Sequence, residues 1–129
     1  MVSLDSGSLP LHVLVNDGPN PIRYYTTIHR IRQGSPSIKA WATTNAQFIT
    51  HLRFGLCTST STTQITNTVQ IPKGNTGYFG FSHSNGTPYI PQGQYRLLGR
   101  AVGTVIVNGE GAYGYREISW KGDLKYTAY

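Results

Sequence analysis

The sequence lacks acidic residues over most of its length. No Asp or Glu occurs in residues 18–109, although this stretch carries eight of the eleven lysines and arginines. All five acids lie outside it, and the formal net charge is +6. A positive field of this kind favours anionic partners such as nucleic acid, acidic glycans or membrane surfaces. The alternative is that the charge serves solubility alone, and the sequence favours neither.

Cysteine is also scarce, and this excludes several kinds of site. Cys57 is the one cysteine, so no intrachain disulfide can form, and we expect its thiol to fill a buried apolar position. The four histidines show no HxH or HxxxH spacing, which disfavours a local metal site. No glycine-rich phosphate loop is present. We therefore predict neither a metal nor a cofactor.

The N-terminus has no basic start followed by an apolar run, so no signal peptide is predicted. No apolar stretch approaches the length of a membrane span, and we expect no membrane insertion.

The residues that catalysis commonly requires are few. Paired carboxylates would have to come from Glu110, Glu117 and Asp123, and these acids more plausibly pair with the many basic side chains. A nucleophile pair of Cys57 with a histidine lacks an evident orienting acid. We predict no catalytic residue and no enzyme activity. The alternative is a small hydrolase that uses Cys57 or His83.

Helical periodicity is absent, whereas strand patterns recur along the chain. Thr, Ser, Gly, Tyr, Ile and Val dominate the composition, which favours strands and turns. The clearest alternation lies in residues 47–57, where one face takes Phe48, Leu52, Phe54 and Leu56. The fold class that follows is all-β, an antiparallel β-sandwich or jelly roll of about eight to ten short strands. Residues 1–10 are small and polar and predict an arm or linker, and residues 11–129 predict a single domain.

Aromatic residues are abundant, with nine tyrosines and two tryptophans. Residues 23–32 bring two tyrosines and three arginines onto neighbouring strand positions, a composition typical of contact surfaces. Nucleic acid is a possible ligand, but no nucleic-acid motif supports it. The Gly-aromatic pattern in residues 77–80 predicts either close packing or a platform of rings for sugars or bases. The residues predicted to bind a ligand are Arg23, Tyr25, Arg30, Arg32 and His83.

The C-terminal part concentrates rings and acids, which predicts a homodimer. A monomer rarely leaves a large apolar patch open to water, and two-fold pairing is the commonest way to cover one. Acids of this segment could meet the basic region of a partner subunit. The alternative is that the rings fill the domain's own core. The predicted interface residues are Tyr113, Tyr115, Trp120, Tyr126 and Tyr129.

Three segments together resemble the protruding domain of a small icosahedral RNA virus capsid protein, of the nodavirus or tombusvirus kind. They are the leading residues 2–11, the strand in residues 52–56 and a last strand that ends at Tyr129. The resemblance implies a β-sandwich that dimerises into a spike at the virion surface and contacts a host receptor or an anionic glycan. Some members of such families bind calcium through acidic loops, and the acid-free stretch departs from that. The alternative is a secreted lectin-like module.

Overall fold

The computed structural model describes residues 2–12, 22–44, 49–74, 77–103 and 115–129. In β1, and in β8 up to residue 117, it describes the backbone, together with the side chain of Leu9. Eight strands and no helix lie in these ranges. No helix of the described ranges has the length and apolar character needed to cross a membrane. The strands are β1 (Val2–His12), β2 (Arg23–Ile31), β3 (Ser37–Ala42), β4 (Ile49–Thr58), β5 (Val69–Pro72), β6 (Phe79–Gly80), β7 (Gly93–Gly103) and β8 (Tyr115–Lys125).

The strands form two four-stranded sheets. Sheet I has the order β1-β8-β3-β6, and sheet II has the order β2-β7-β4-β5. Neighbouring strands run antiparallel in both sheets. The predicted all-β antiparallel architecture is confirmed, and two sheets with a shared core are consistent with a sandwich.

Pairing in these sheets is nested along the chain. β1 pairs with β8, β2 with β7, β3 with β6, and β4 with β5. β4 and β5 are the one pair of consecutive strands that lie in the same sheet, so each other step from strand to strand changes sheet. Contacts therefore join residues that are far apart in the sequence.

The core lies between the sheets and takes alternate residues from their strands. In β4 the side chains of Leu52, Phe54 and Leu56 are buried, as the period-two pattern predicts. In β8 the buried residues are Ile118, Trp120 and Leu124. In the described parts of β4 and β8, alternate side chains are thus committed to the core between the sheets.

Trp120 of sheet I contacts two strands of sheet II. Its ring lies 4.7 Å from the ring of Phe54, centre to centre, and 5.7 Å from that of Tyr25 in an edge-to-face arrangement. The indole Nε1–H donates a hydrogen bond of 2.9 Å to the Tyr25 hydroxyl. Phe54 lies opposite Gly99 in β7, where a Cβ would come within 2.9 Å of the Phe54 ring. Glycine is therefore needed at this position for the ring to pack.

The N-terminal residues differ from the sequence prediction. Residues 2–12 form β1 and pair with β8, with a register shift between Leu4 and Gly7, where an arm or linker was predicted for residues 1–10. Small polar side chains obscure the strand pattern, but main-chain hydrogen bonding does not depend on them. Among the described strands, β1 lies at the edge of sheet I, and edge strands are where proline is found in sheets.

Tyr25→Phe tests the contact between the sheets. We expect the free energy of unfolding to fall by about 1–3 kcal/mol, because the buried indole N–H of Trp120 loses its acceptor. Tyr24→Phe is the matched control, since Tyr24 is 38% exposed, and it should change stability by less than about 0.5 kcal/mol. Urea unfolding measures both, and equal effects of the two variants would contradict the account.

Candidate functional site

Charge divides unequally between the two sheets. Every strand of sheet II lies within the acid-free residues 18–109. The strands of sheet I contain three acidic and four basic residues. Sheet II is therefore the positively charged layer of the fold. Its strands contain no acid and five arginines, which are Arg23, Arg30, Arg53, Arg96 and Arg100.

Two of these arginines face each other on the outer face of sheet II. Arg53 in β4 and Arg100 in β7 are direct cross-strand partners, and both flank core positions. The Arg53 Nε donates to His51 Nε2 at 3.1 Å, and its Nη2 donates to Gln70 Oε1 at 3.4 Å. Both acceptors are uncharged, so neither neutralises the guanidinium.

His51 completes a short hydrogen-bonded chain beside Arg53. Because its Nε2 accepts from Arg53, the proton lies on Nδ1, which is 3.1 Å from Thr50 Oγ1. Thr50 Oγ1 in turn donates to the carbonyl of Val102 at 3.1 Å. The pKa of His51 is lowered, first by burial and then by the positive charges of Arg53 and Arg100. The neutral ring thus helps to position Arg53.

A small cavity of about 30 Å³ lies beside Arg53 and Arg100. Its polar lining includes Gln64 and Thr68, which are joined by a hydrogen bond of 3.0 Å. Gln64 lies over Gly55, where a Cβ would be 2.6 Å from its side chain. The other lining residues are Ile22, Phe54, Leu98 and Gly99.

A second basic site lies where the C-terminal residues 126–129 run beside the end of β2. Ile31 and Ala128 form an antiparallel bridge, and the Arg32 Nε donates to the carbonyl of Ala128 at 3.1 Å. The guanidinium of Arg30 lies 4.6 Å from the centre of the Tyr129 ring, a cation–π contact. Residues 126–129 are thereby attached to the edge strand of sheet II.

His29 anchors the start of these C-terminal residues. It is 4% exposed, and its Nδ1 lies 3.2 Å from the Tyr126 hydroxyl. The two rings meet edge to face at 5.7 Å. Burial lowers the pKa of His29 and raises the pKa of Tyr126, so both are neutral near pH 7.

A pocket of about 460 Å³ opens between residues 31–37 and residues 125–127. Its size is in the range of small-molecule sites. Arg32 and Lys125 are its charged lining residues, and hydroxyl or amide groups come from residues such as Gln33, Ser37 and Thr127. Such a lining suits a polar or anionic ligand.

The structure brings together four residues that the sequence assigned to two different sites. Arg30 and Arg32 were predicted to bind a ligand, and Tyr126 and Tyr129 to form an interface between subunits. Within one subunit, Arg30 contacts the Tyr129 ring, Arg32 bonds to the main chain of Ala128, and Tyr126 contacts His29 beside them.

The other predicted residues lie apart from this cluster. Tyr25 and Trp120 form the core contact described above, and Trp120 is 1% exposed, which leaves it no surface for a partner. Arg23 begins β2 and affects the pKa of Tyr25. His83 lies in a turn, where its Nδ1 accepts from the main-chain N–H of Asn85 at 3.1 Å.

For two of the predicted interface residues the structure does not describe the side chain. Tyr113 lies outside the described residues, and the side chain of Tyr115, at the start of β8, also lies outside them.

Sequence reasoning missed an aromatic patch on the outer face of sheet I. Trp41 is 43% exposed and Tyr78 is 40% exposed. The ammonium of Lys39 lies 5.7 Å from the centre of the Trp41 ring and 5.2 Å from that of Tyr78, and it meets Asp123 at 3.8 Å. The alternation of β3, with Ile38 and Ala40 buried, was the signal that could have placed Trp41 outside.

Of the residues considered for catalysis, Glu110 and the side chain of Glu117 lie outside the described residues. Cys57 is fully buried, and its thiol lies 3.7 Å from the carbonyl of Arg96. In the described ranges, no group of three His, Cys, Asp or Glu side chains could hold a metal ion.

Comparison of the chain with protein-family models, with curated proteins and with solved structures gives no match.

His29 predicts a pH dependence of stability. Its pKa is lower in the folded chain than in the unfolded chain, where the ordinary value is about 6.5. The free energy of unfolding should be highest above that value and should fall as the pH drops through it, because the unfolded chain takes up the proton first. His51 contributes in the same direction.

His29→Gln should therefore flatten the dependence between about pH 7 and pH 5. Urea unfolding at a series of pH values measures it, with His83→Gln as the control from an exposed turn. If the free energy of unfolding of His29→Gln changes with pH as steeply as that of the unmodified protein, the buried imidazole does not control the pH dependence.

Proposed function

We propose that the chain is a jelly-roll domain that acts by binding at its surface, as the protruding domain of a small RNA virus capsid. The observation that carries the proposal is the nested pairing of β1 with β8, β2 with β7, β3 with β6 and β4 with β5. A jelly roll is a two-sheet fold of eight strands that contains two Greek keys. Capsid and lectin domains both use this fold. The fold alone therefore supports a binding domain of either kind and does not distinguish between them.

The distribution of charge supports an anionic partner. Sheet II places five arginines and no acid in one layer, and the pocket beside the C-terminal residues has Arg32 and Lys125 in its lining. Such fields attract anionic ligands and speed their encounter. The partner in this proposal is an anionic glycan of a host-cell receptor, and the protein lies at the virion surface.

A binding role, rather than catalysis, is also favoured by the positions of the reactive side chains. Cys57 is fully buried, and Asp123 forms an ion pair with Lys39. A hydrolase would need a nucleophile that substrate can reach. The binding proposal needs none.

Glycan-array binding tests the proposed function. We expect the protein to bind sulfated or sialylated probes above neutral ones, and added salt should weaken the binding because exposed charges are screened. An upstream shell domain in the same reading frame would support the capsid assignment, and a signal peptide there would favour the secreted lectin-like module. Binding of neutral glycans alone, or of no glycan, would contradict the proposal.

A homodimer is part of the same proposal. Sedimentation equilibrium at low and high salt measures it, with a dimer expected that is weaker at high salt if ion pairs join the subunits. A strict monomer at high micromolar concentration in both conditions would contradict a stable dimer of the isolated domain.

A further inference from the structure

Arg53 and Arg100 form an arrangement that costs stability. Like charges directly opposite each other in an antiparallel pair are destabilising, and the two arginines are such a pair. Sheet II has no acid to compensate them. The Arg100 side chain has no hydrogen-bond acceptor or carboxylate partner among the described residues. A pair of this kind is stabilised when an anion binds between its members.

The surroundings of the pair are built to hold Arg53 in place. Its guanidinium is fixed by His51 at 3.1 Å and by Gln70 at 3.4 Å, and both are neutral acceptors. His51 is itself held by Thr50, which bonds to the main chain of β7. The donor is thus positioned before any ligand arrives, which reduces the entropic cost of binding.

The space beside the two arginines is small. The cavity of about 30 Å³ has Phe54, Leu98 and Gly99 in its lining, together with the polar Gln64 and Thr68. A space of this size holds about one water molecule, so one oxygen of a bound oxyanion can enter it while the rest of the ligand stays outside on the sheet face. The pocket beside the C-terminal residues is larger than this cavity and has room for a small molecule.

We propose that the cavity beside Arg53 and Arg100 binds a sulfate half-ester group of a sulfated polysaccharide. The inference rests on the proposed function, because it names the ligand class and the site for an anionic glycan. Two guanidinium groups supply charge-assisted hydrogen bonds to the sulfate oxygens. Arg96 lies on the same outer face of β7 as Arg100, and its Nε is buried without a partner in the described residues.

A sulfated polysaccharide fits this face better than a nucleic acid does. Proteins that bind single strands combine a basic groove with rings on which successive bases stack. The outward-facing neighbours of the arginine pair in β4, β5 and β7 include His51, Gln70 and Val102, none of which is Phe, Tyr or Trp. In β2 the exposed ring of Tyr24 lies opposite Leu98, and one ring does not supply stacking positions for successive bases. The sulfate groups of a polysaccharide need guanidinium groups and no stacking partner.

Isothermal titration with a heparin-derived octasaccharide tests the site. We expect Arg53→Gln and Arg100→Gln each to weaken binding by about 10-fold or more at physiological salt, since each removes a hydrogen bond to a charged group. Lys73→Gln and Lys121→Gln are matched controls that remove the same charge elsewhere, and they should weaken binding by less than about 3-fold. Desulfated heparin of the same length should bind the unmodified protein more weakly than the octasaccharide, because it keeps its carboxylates but has lost the sulfate groups.

The melting temperature shows whether a variant binds weakly because it has lost the binding site or because it has lost the fold. Arg53→Gln and Arg100→Gln should melt at the same temperature as the unmodified protein or higher, because each relieves the like-charge contact. A variant that melts lower would be replaced by Arg53→Lys or Arg100→Lys, which keep the charge but lose the paired hydrogen bonds. These should also bind the octasaccharide more weakly.

The outcomes distinguish the site from the proposed function. Equal weakening by all four glutamine variants would overturn the site, because a general field would then account for binding. Tighter binding of a single-stranded oligonucleotide, lost in Arg53→Gln and Arg100→Gln, would overturn the polysaccharide as ligand. Binding to other acidic glycans, unaffected by either variant, would overturn the site and leave the proposed function standing. Failure to bind any acidic glycan would overturn both.

Discussion

The contact between Trp120 and Phe54 joins the two sheets, and the direction of the surrounding side chains depends on it. Phe54 faces the core because it packs on the indole ring at 4.7 Å. Successive residues of a strand point to opposite faces, so Arg53 must then face outward. Gly99 has no side chain and so leaves the space that the Phe54 ring occupies. Because side chains alternate along β7 as well, its neighbour Arg100 faces outward. The core contact therefore determines the position of the basic surface.

This coupling explains which parts of the structure could be predicted from the sequence. The alternation in β4 is local, and it correctly predicted Leu52, Phe54 and Leu56 as buried. The partner of a strand is not local, because β4 meets β7 through a register that the sequence does not display. Arg53 and Arg100 were therefore visible as basic residues but not as neighbours.

Three other differences between the sequence interpretation and the structure have the same origin. Arg30 and Arg32 were assigned to a ligand site, and Tyr126 and Tyr129 to an interface, because the bridge between Ile31 and Ala128 could not be foreseen. The small polar residues of β1 suggested an arm, whereas main-chain pairing with β8 makes them a strand. Trp120 was placed at the surface because burial depends on which face of β8 meets the core.

The account depends most on the nested pairing, since that pairing creates both the core and the face of sheet II. NMR measurement of cross-strand Hα and amide NOEs tests it most directly. The account predicts NOEs between His29 and Tyr95, which pair β2 with β7, and between Gly7 and Trp120, which pair β1 with β8. NOEs that instead joined each strand to the next strand along the chain would show a meander and would contradict it.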